Sequence, residues 1–464
     1  MQILNFTNSY NAASPRRFAL WIGVVVTLAS AAVNVRSISN DNIPNVLIPI
    51  SILREHNLEL GEFRTLIEGY KDRVCYWAVQ SASGIYSRYP VWTGVMAVPF
   101  FVPYAVFHPD SIAEADLLRI GRVASVFACG IFAAMFAATL RRFVPGSWAA
   151  GLTAVTVLGS TIQHQLGANL TNQTLPIVCV GAILWFVTRP TLSRRGACAA
   201  GMIAGLAIGA RPAILFVALA PLGVFLTRRD LRRHLPHVAL ASALVPALTL
   251  WYQHAAFGNA FSTGYGDEAD AGFTASLPNG LAGLIVSPTC GLLIYSPWLI
   301  FAVQAAVRLI RGRAPVQSDS AAADSIPRTE LARWLAAGII LQWLFFSKWW
   351  AWNGALAFGG PRMLAEAIPL MTLLIAMNGI PAHRRWLVGL GLLAMIHFAV
   401  GSICYDAVAP SNPAKPDWNI RADFIALYIR QFGVIGLIKE SAQGMAILGV
   451  TLISGGIMAG RLMR

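Results

Sequence analysis

The residues placed to do chemistry in this sequence are few, and most are charged groups set among apolar neighbours. Asp41 stands in SISNDNIPNVLIPISILREHNLELGEF, just after an apolar run that ends near residue 35. A carboxylate there can take a proton from a hydroxyl, or it can cap the helix that Asn42 and Pro44 announce. Arg211 and Pro212 interrupt GLAIGARPAILF between two apolar arms of about 15 residues each. A cation at such a place needs an anion, either a carboxylate or a lipid phosphate, unless it snorkels to the headgroups. The segment KWWAWNGALAFGGPRMLAE (348–366) opens on Lys348, closes on Arg362 and Glu366, and carries Trp349, Trp350 and Trp352 between. Gly359, Gly360 and Pro361 make a tight turn before Arg362. Two cations flanking rings suit a phosphosugar, charge for the phosphate and flat rings for the sugar; the tryptophans suit an interfacial belt equally well.

Two smaller groups complete the candidates. GSTIQHQLGANLTNQT places Gln163, His164, Gln165 and Asn169 in one turn, a polar set able to recognise hydroxyls, although His164 also reads as an ordinary loop histidine. IYSRYP supplies Tyr86, Arg88 and Tyr89, as sugar or acceptor contacts or as interfacial anchors. Glu366 is placed with the same contacts. No CxxC or Cys/His metal spacing occurs, so zinc is not expected. No GxGxxG fingerprint sits where strands could flank it, which disfavours a nucleotide-sugar donor.

Composition decides what must position these groups. Of 464 residues, 56% are hydrophobic and 12% charged, against about 25% charged in ordinary soluble domains. A water-soluble fold and a disordered chain are both excluded, and a polytopic helical membrane protein is implied. The net charge of +14 is then a matter of topology and not of nucleic acid, because Lys and Arg accumulate on the cytoplasmic side.

The basic residues fall in clusters with two apolar stretches between successive clusters. The spans are read at 18–35, 119–140, 146–162, 172–188, 196–210, 212–227, 236–253, 289–307, 331–347, 364–380, 386–403 and 444–460, which makes 12 with both termini cytoplasmic. Inside segments carry 20 Lys/Arg against four acids, and outside segments 15 against 17. The stretch 92–107, short and bearing Pro99 and Pro103, is read as interfacial or re-entrant. The whole chain, 1–464, is one transmembrane domain, with a long first external loop (36–118) and an external C-terminal segment (404–443). In the first loop Leu47, Ile50 and Leu53 form an apolar stripe, so that helix is expected to lie along the membrane surface.

An acid just after span one, surface helices in a long first external loop and a multispan body together resemble the GT-C glycosyltransferases. That superfamily includes protein O-mannosyltransferases and the aminoarabinose transferases acting on lipid A. The likeness is closer still to uncharacterised bacterial members, on the strings SNDNIPNVLIPISILREHNLELGEF, YSRYP, QHQ, ARPAILF, FSTGYG, GLIVSPTCGLLIYSP and WNGALAFGGPRML, in that order from about residue 38 to 370.

The resemblance implies a GT-C-like bundle in the bacterial inner membrane, its site facing the periplasm or exterior. It implies transfer of a sugar from a polyprenyl-phosphate donor to a lipid, glycan or protein acceptor. Asp41 matches the first-loop acid that serves as base. Where several relatives carry paired acids, Asp41 is flanked by Asn40 and Asn42, which puts a bound divalent metal in doubt and leaves Asp41 alone or with Glu59 or Glu62 folding near it. Chemistry agrees: the attacking hydroxyl needs a carboxylate, and the leaving phosphate needs fixed cations, for which Arg211, Lys348 and Arg362 are the candidates. An inverting transferase without a cofactor is the leading reading. A flippase or secondary transporter of a lipid-linked sugar is the alternative, disfavoured by the lack of repeated halves and mid-span charge. A polysaccharide ligase or polymerase using a diphosphate-linked donor is the third.

Overall fold

The structure, a computed structural model, describes residues 14–32, 40–69, 76–109, 112–266, 271–287, 290–313, 327–353, 360, 362–381 and 383–408. Numbering the described α-helices of ten or more residues in chain order, α1 is Pro15–Ala32, α2 Ile43–Arg54, α3 Trp92–Phe107, α4 Glu114–Leu140 and α5 Gly146–Leu158. Then come α6 Thr174–Val187, α7 Arg194–Ala210, α8 Leu235–Phe257, α9 Leu277–Val286, α10 Ile300–Ile310, α11 Arg328–Lys348, α12 Ile368–Met377 and α13 Arg384–Val408. A two-stranded antiparallel hairpin, β1 (Ala78–Ser81) and β2 (Gly84–Ser87), pairs Ala78 with Ser87 and Ser81 with Gly84.

Among the described residues two helices, α4 and α8, are each long and apolar enough to cross a membrane. The lateral surface of the bundle is apolar. Leu20, Val24 and Leu28 on α1, Val123, Phe127 and Ile131 on α4, and Leu240, Leu244 and Leu248 on α8 are all exposed. Each set recurs every four residues, so each is one face of a helix turned outward. Continuous apolar faces of this kind fit a helical membrane protein, in which lipid and not water is the solvent.

Close helix contacts are made through small residues. On α7, a Cβ at Gly201 or Gly205 would collide with the backbone oxygen of Val238 or Ser242 on α8. Spacing of this kind lets two backbones touch where no hydrophobic force draws helices together in lipid. Gly205→Val is expected to lower stability by about 1–3 kcal/mol, the usual penalty of overpacking. Gly151→Val, on an open face of α5 where a Cβ meets nothing within 4 Å, should leave the detergent melting temperature near wild type. Equal melting of the two variants would contradict the close crossing.

Two features of the first loop differ from the expectation of a surface helix. All of Ile43–Ser51 on α2 is buried, packed against α3 and the start of α4. The stripe of Leu47, Ile50 and Leu53 is only part of its apolar surface, because Val46, Ile48 and Pro49 fill the remaining faces. Its one deeply buried amide, Asn45, donates to the Leu170 carbonyl (3.0 Å) and to Asn172 Oδ1 (2.9 Å). The loop also holds the β-hairpin, which docks on the end of α8 through Ser81 Oγ to the Ala256 carbonyl (2.5 Å). Together α2, α3, the hairpin and the first turns of α4 enclose an apolar cluster separate from that of the main bundle.

The break after α7 follows the sequence. Arg211 is extended (φ −155°, ψ 90°), Pro212 opens a 3-10 turn, and Pro212–Thr227 continues as alternating short 3-10 and α pieces. The loosened backbone is satisfied from a neighbour, with Gln342 of α11 donating to the Ala213 carbonyl (3.0 Å). The turn between α5 and α6 is not an open loop: Gln163–Ala168 forms a buried π-helical turn. The expected span 444–460 and most of segment 404–443 lie outside the described residues.

Candidate active site

Asp41 sits in a 3-10 turn, Asn40–Asn42, that runs directly into α2. Its carboxylate is turned toward the rest of the chain. Oδ1 accepts the hydroxyls of Tyr76 (2.7 Å) and Tyr89 (2.9 Å), while Oδ2 lies 3.5 Å from Nη1 of Arg362. Tyr89 follows β2, where Ser87 Oγ accepts its backbone N–H (3.0 Å), and its ring meets Tyr265 edge-on at 5.6 Å. Burial, with the charge of Asp41 as a smaller cause, pushes the Tyr89 phenol far above its ordinary range, so it stays a proton donor at any physiological pH. Arg362 is delivered by a turn in which Gly360 is left-handed (φ +80°) and accepts the Arg362 N–H (2.8 Å). The pair is neither sealed nor free in solvent, at 23% exposure for Arg362 and 18% for Asp41.

A second pair takes one member from the segment that Arg362 opens, the 3-10 helix Arg362–Ala367. Glu366 within it is fully buried, and its Oε1 is 3.4 Å from Nε of Arg211. Arg211 also rests over the Phe346 ring (5.6 Å) and against the Met363 sulfur (3.5 Å). Gln173, the residue before α6, donates to Glu366 Oε1 (3.2 Å) and to the Arg362 carbonyl. His164 is buried in the π-helical turn, where desolvation and the charge of Arg362 bring its imidazole down to about 4. It is therefore a neutral hydrogen-bonding group and not a cation at neutral pH. One carboxylate held by two phenols, facing one of two guanidinium groups, can accept a proton while an anion is bound alongside it.

No family model matches the chain and no curated protein matches it. Among solved structures it is similar to ArnT from Cupriavidus metallidurans bound to undecaprenyl phosphate, with a TM-score of 0.52 at 15% identity, covering 95% of this chain and 77% of that one. The chain shares the helical fold of that structure. The same ArnT in its apo state is also similar, at 16% identity over the same shares and a TM-score of 0.48.

On this fold the residues singled out from the sequence are partly gathered and partly dispersed. Asp41 with Arg362 and Arg211 with Glu366 form the two linked pairs, with Tyr89 donating to Asp41 and His164 within electrostatic reach of Arg362. Glu366, read as a sugar or acceptor contact, is enclosed behind Arg211 with no exposed surface. Tyr86 lies in an aromatic group with Tyr252 (6.2 Å) and Phe257 (6.0 Å). Arg88 is half-buried beyond β2, its N–H donated to the Trp77 carbonyl (2.9 Å). Lys348 ends α11, its carbonyl accepting the Ala275 N–H (3.1 Å).

The two acids named as alternatives to Asp41 acting alone make contacts of their own. Glu59 accepts the Ile85 N–H (3.1 Å) and braces the hairpin, and the carboxyl of Glu62, an exposed residue, is raised above its ordinary value chiefly by partial desolvation. Among the described residues no group of three or more His, Cys, Asp or Glu is placed to hold a metal ion. Sequence reading missed Tyr76 and Gln173. Tyr76 stands in DRVCYWAV without any neighbouring signal, whereas Gln173 lies inside LTNQT, where a polar run marked the place but not the residue.

Proposed function

We propose that this chain is an inverting glycosyltransferase of the inner membrane that moves a sugar from a polyprenyl-phosphate carrier to an acceptor hydroxyl at the outer face. Its 12 spans would leave both termini in the cytoplasm. The observation that carries the reading is the juxtaposition of Asp41 Oδ2 and Arg362 Nη1 at 3.5 Å, a base and an anion-binding group side by side. The related fold of ArnT, crystallised with undecaprenyl phosphate, supports a carrier of that class.

In the reaction the acceptor oxygen attacks the anomeric carbon and the bond from that carbon to the phosphate oxygen breaks. The acceptor proton passes to Asp41 Oδ2, because Oδ1 already takes the Tyr76 and Tyr89 hydroxyls. The bonding pair leaves with the polyprenyl phosphate, and its growing charge is met by Arg362, Arg211 and, reaching from the end of α11, Lys348. A single displacement of this kind inverts the anomeric configuration. His164 and the loop residues Tyr86, Arg88 and Tyr89 would line the sugar or acceptor side, and Glu366 would act through Arg211.

The purified chain in liposomes, given a radiolabelled polyprenyl-monophosphate sugar and a mixed acceptor extract, is expected to yield a covalently labelled acceptor of inverted configuration. Movement of the intact lipid-linked sugar without covalent transfer would establish a flippase in place of an enzyme. Labelling only from a diphosphate-linked donor would establish a ligase or polymerase.

A further inference from the structure

The two guanidinium groups of the site are not independent. Gln173 spends its side-chain amide on both: Nε2 donates to the main-chain oxygen of Arg362 and to Oε1 of Glu366, the oxygen that faces Arg211 at 3.4 Å. Gln173 is 2% exposed and Glu366 0%. A buried carboxylate without substrate access cannot be a sugar contact, yet it is too costly to keep without a cation and a donor. One amide therefore ties the start of α6 to the Arg362–Ala367 helix and, through Glu366, to the break after α7.

We propose that Gln173 and Glu366 are positioning residues that hold Arg211 and Arg362 at a fixed separation as a two-pronged receptor for the donor phosphate. This rests on the reading of the site as a polyprenyl-phosphate pocket. Two guanidinium groups locked in advance lose little side-chain freedom when the phosphate arrives, which is where preorganisation raises affinity.

Undecaprenyl phosphate is the probe, titrated into detergent-purified full-length protein by intrinsic tryptophan fluorescence. Gln173→Leu removes both donated bonds at nearly constant volume and is expected to weaken its binding about tenfold. The donor KM should rise alongside while the acceptor KM stays within about twofold, a split that general damage to the fold would not produce.

Wild-type affinity in Gln173→Leu, or equal rises in donor and acceptor KM, would overturn the proposal. Failure of the wild-type protein itself to bind the probe would instead remove the functional reading. Should Gln173→Leu not fold, Gln173→Glu takes its place. Protonated against Glu366 it keeps one donor, so binding should fall by a smaller factor, about threefold, and unchanged affinity there overturns the proposal equally.

Discussion

Asp41→Asn protein is expected to bind a polyprenyl-phosphate sugar at least as tightly as wild type and to transfer that sugar about 10²–10⁴ times more slowly. The amide still accepts the Tyr76 and Tyr89 hydroxyls, so the 3-10 turn and α2 keep their shape. What is lost is the ability of the second atom, beside Arg362, to take a proton. The charge that Arg362 faced is lost too, which leaves more positive potential for the donor phosphate. Single-turnover transfer, with donor affinity read separately, distinguishes the two effects. A single-turnover rate within about threefold of wild type would remove Asp41 from the proton transfer.

Arg362→Ala should show the second largest effect, a fall in turnover of about 10²–10³, with weakened donor binding as well. The substitution removes the guanidinium that lies 3.5 Å from Asp41 Oδ2. Arg362→Lys should recover part of the loss, since an ammonium supplies charge without the planar fork. Arg211 is a less direct probe. Removing it strands the fully buried Glu366, so lost stability of about 3–5 kcal/mol would mix with lost catalysis. Turnover of Arg362→Ala within a few-fold of wild type would exclude it from stabilising the leaving phosphate.

Much of the helical framework is legible in the sequence, because an apolar run bounded by basic clusters suits a buried or lipid-facing helix and little else. The segments around α1, α4, α7 and α8 fall within a few residues of their expected places, and Arg211-Pro212 is a break whose cation takes a carboxylate, one of the fates its position left open. The identity of that carboxylate is not legible. Glu366 lies 155 positions further along the chain, and no local pattern reports a partner at that distance. The same limit hides Tyr76, which acquires a role only when its hydroxyl is folded onto Asp41. The difference at α2 has another origin. A stripe at helical spacing marks one face of an amphipathic helix, but a helix apolar on every side contains such a stripe as well, and a helix of that kind is buried all round.

The interrupted run Pro212–Thr227 has a consequence for how a lipid substrate would be met. A straight helix can slide or tilt in the bilayer and carry its charges with it. Here the chain is snapped at Arg211, and the carbonyl laid bare at Ala213 is clasped by Gln342 of α11. The guanidinium is thereby moored to its surroundings and cannot drift with its own helix. The level at which a headgroup docks would then belong to the protein's architecture, indifferent to how many isoprene units hang below it.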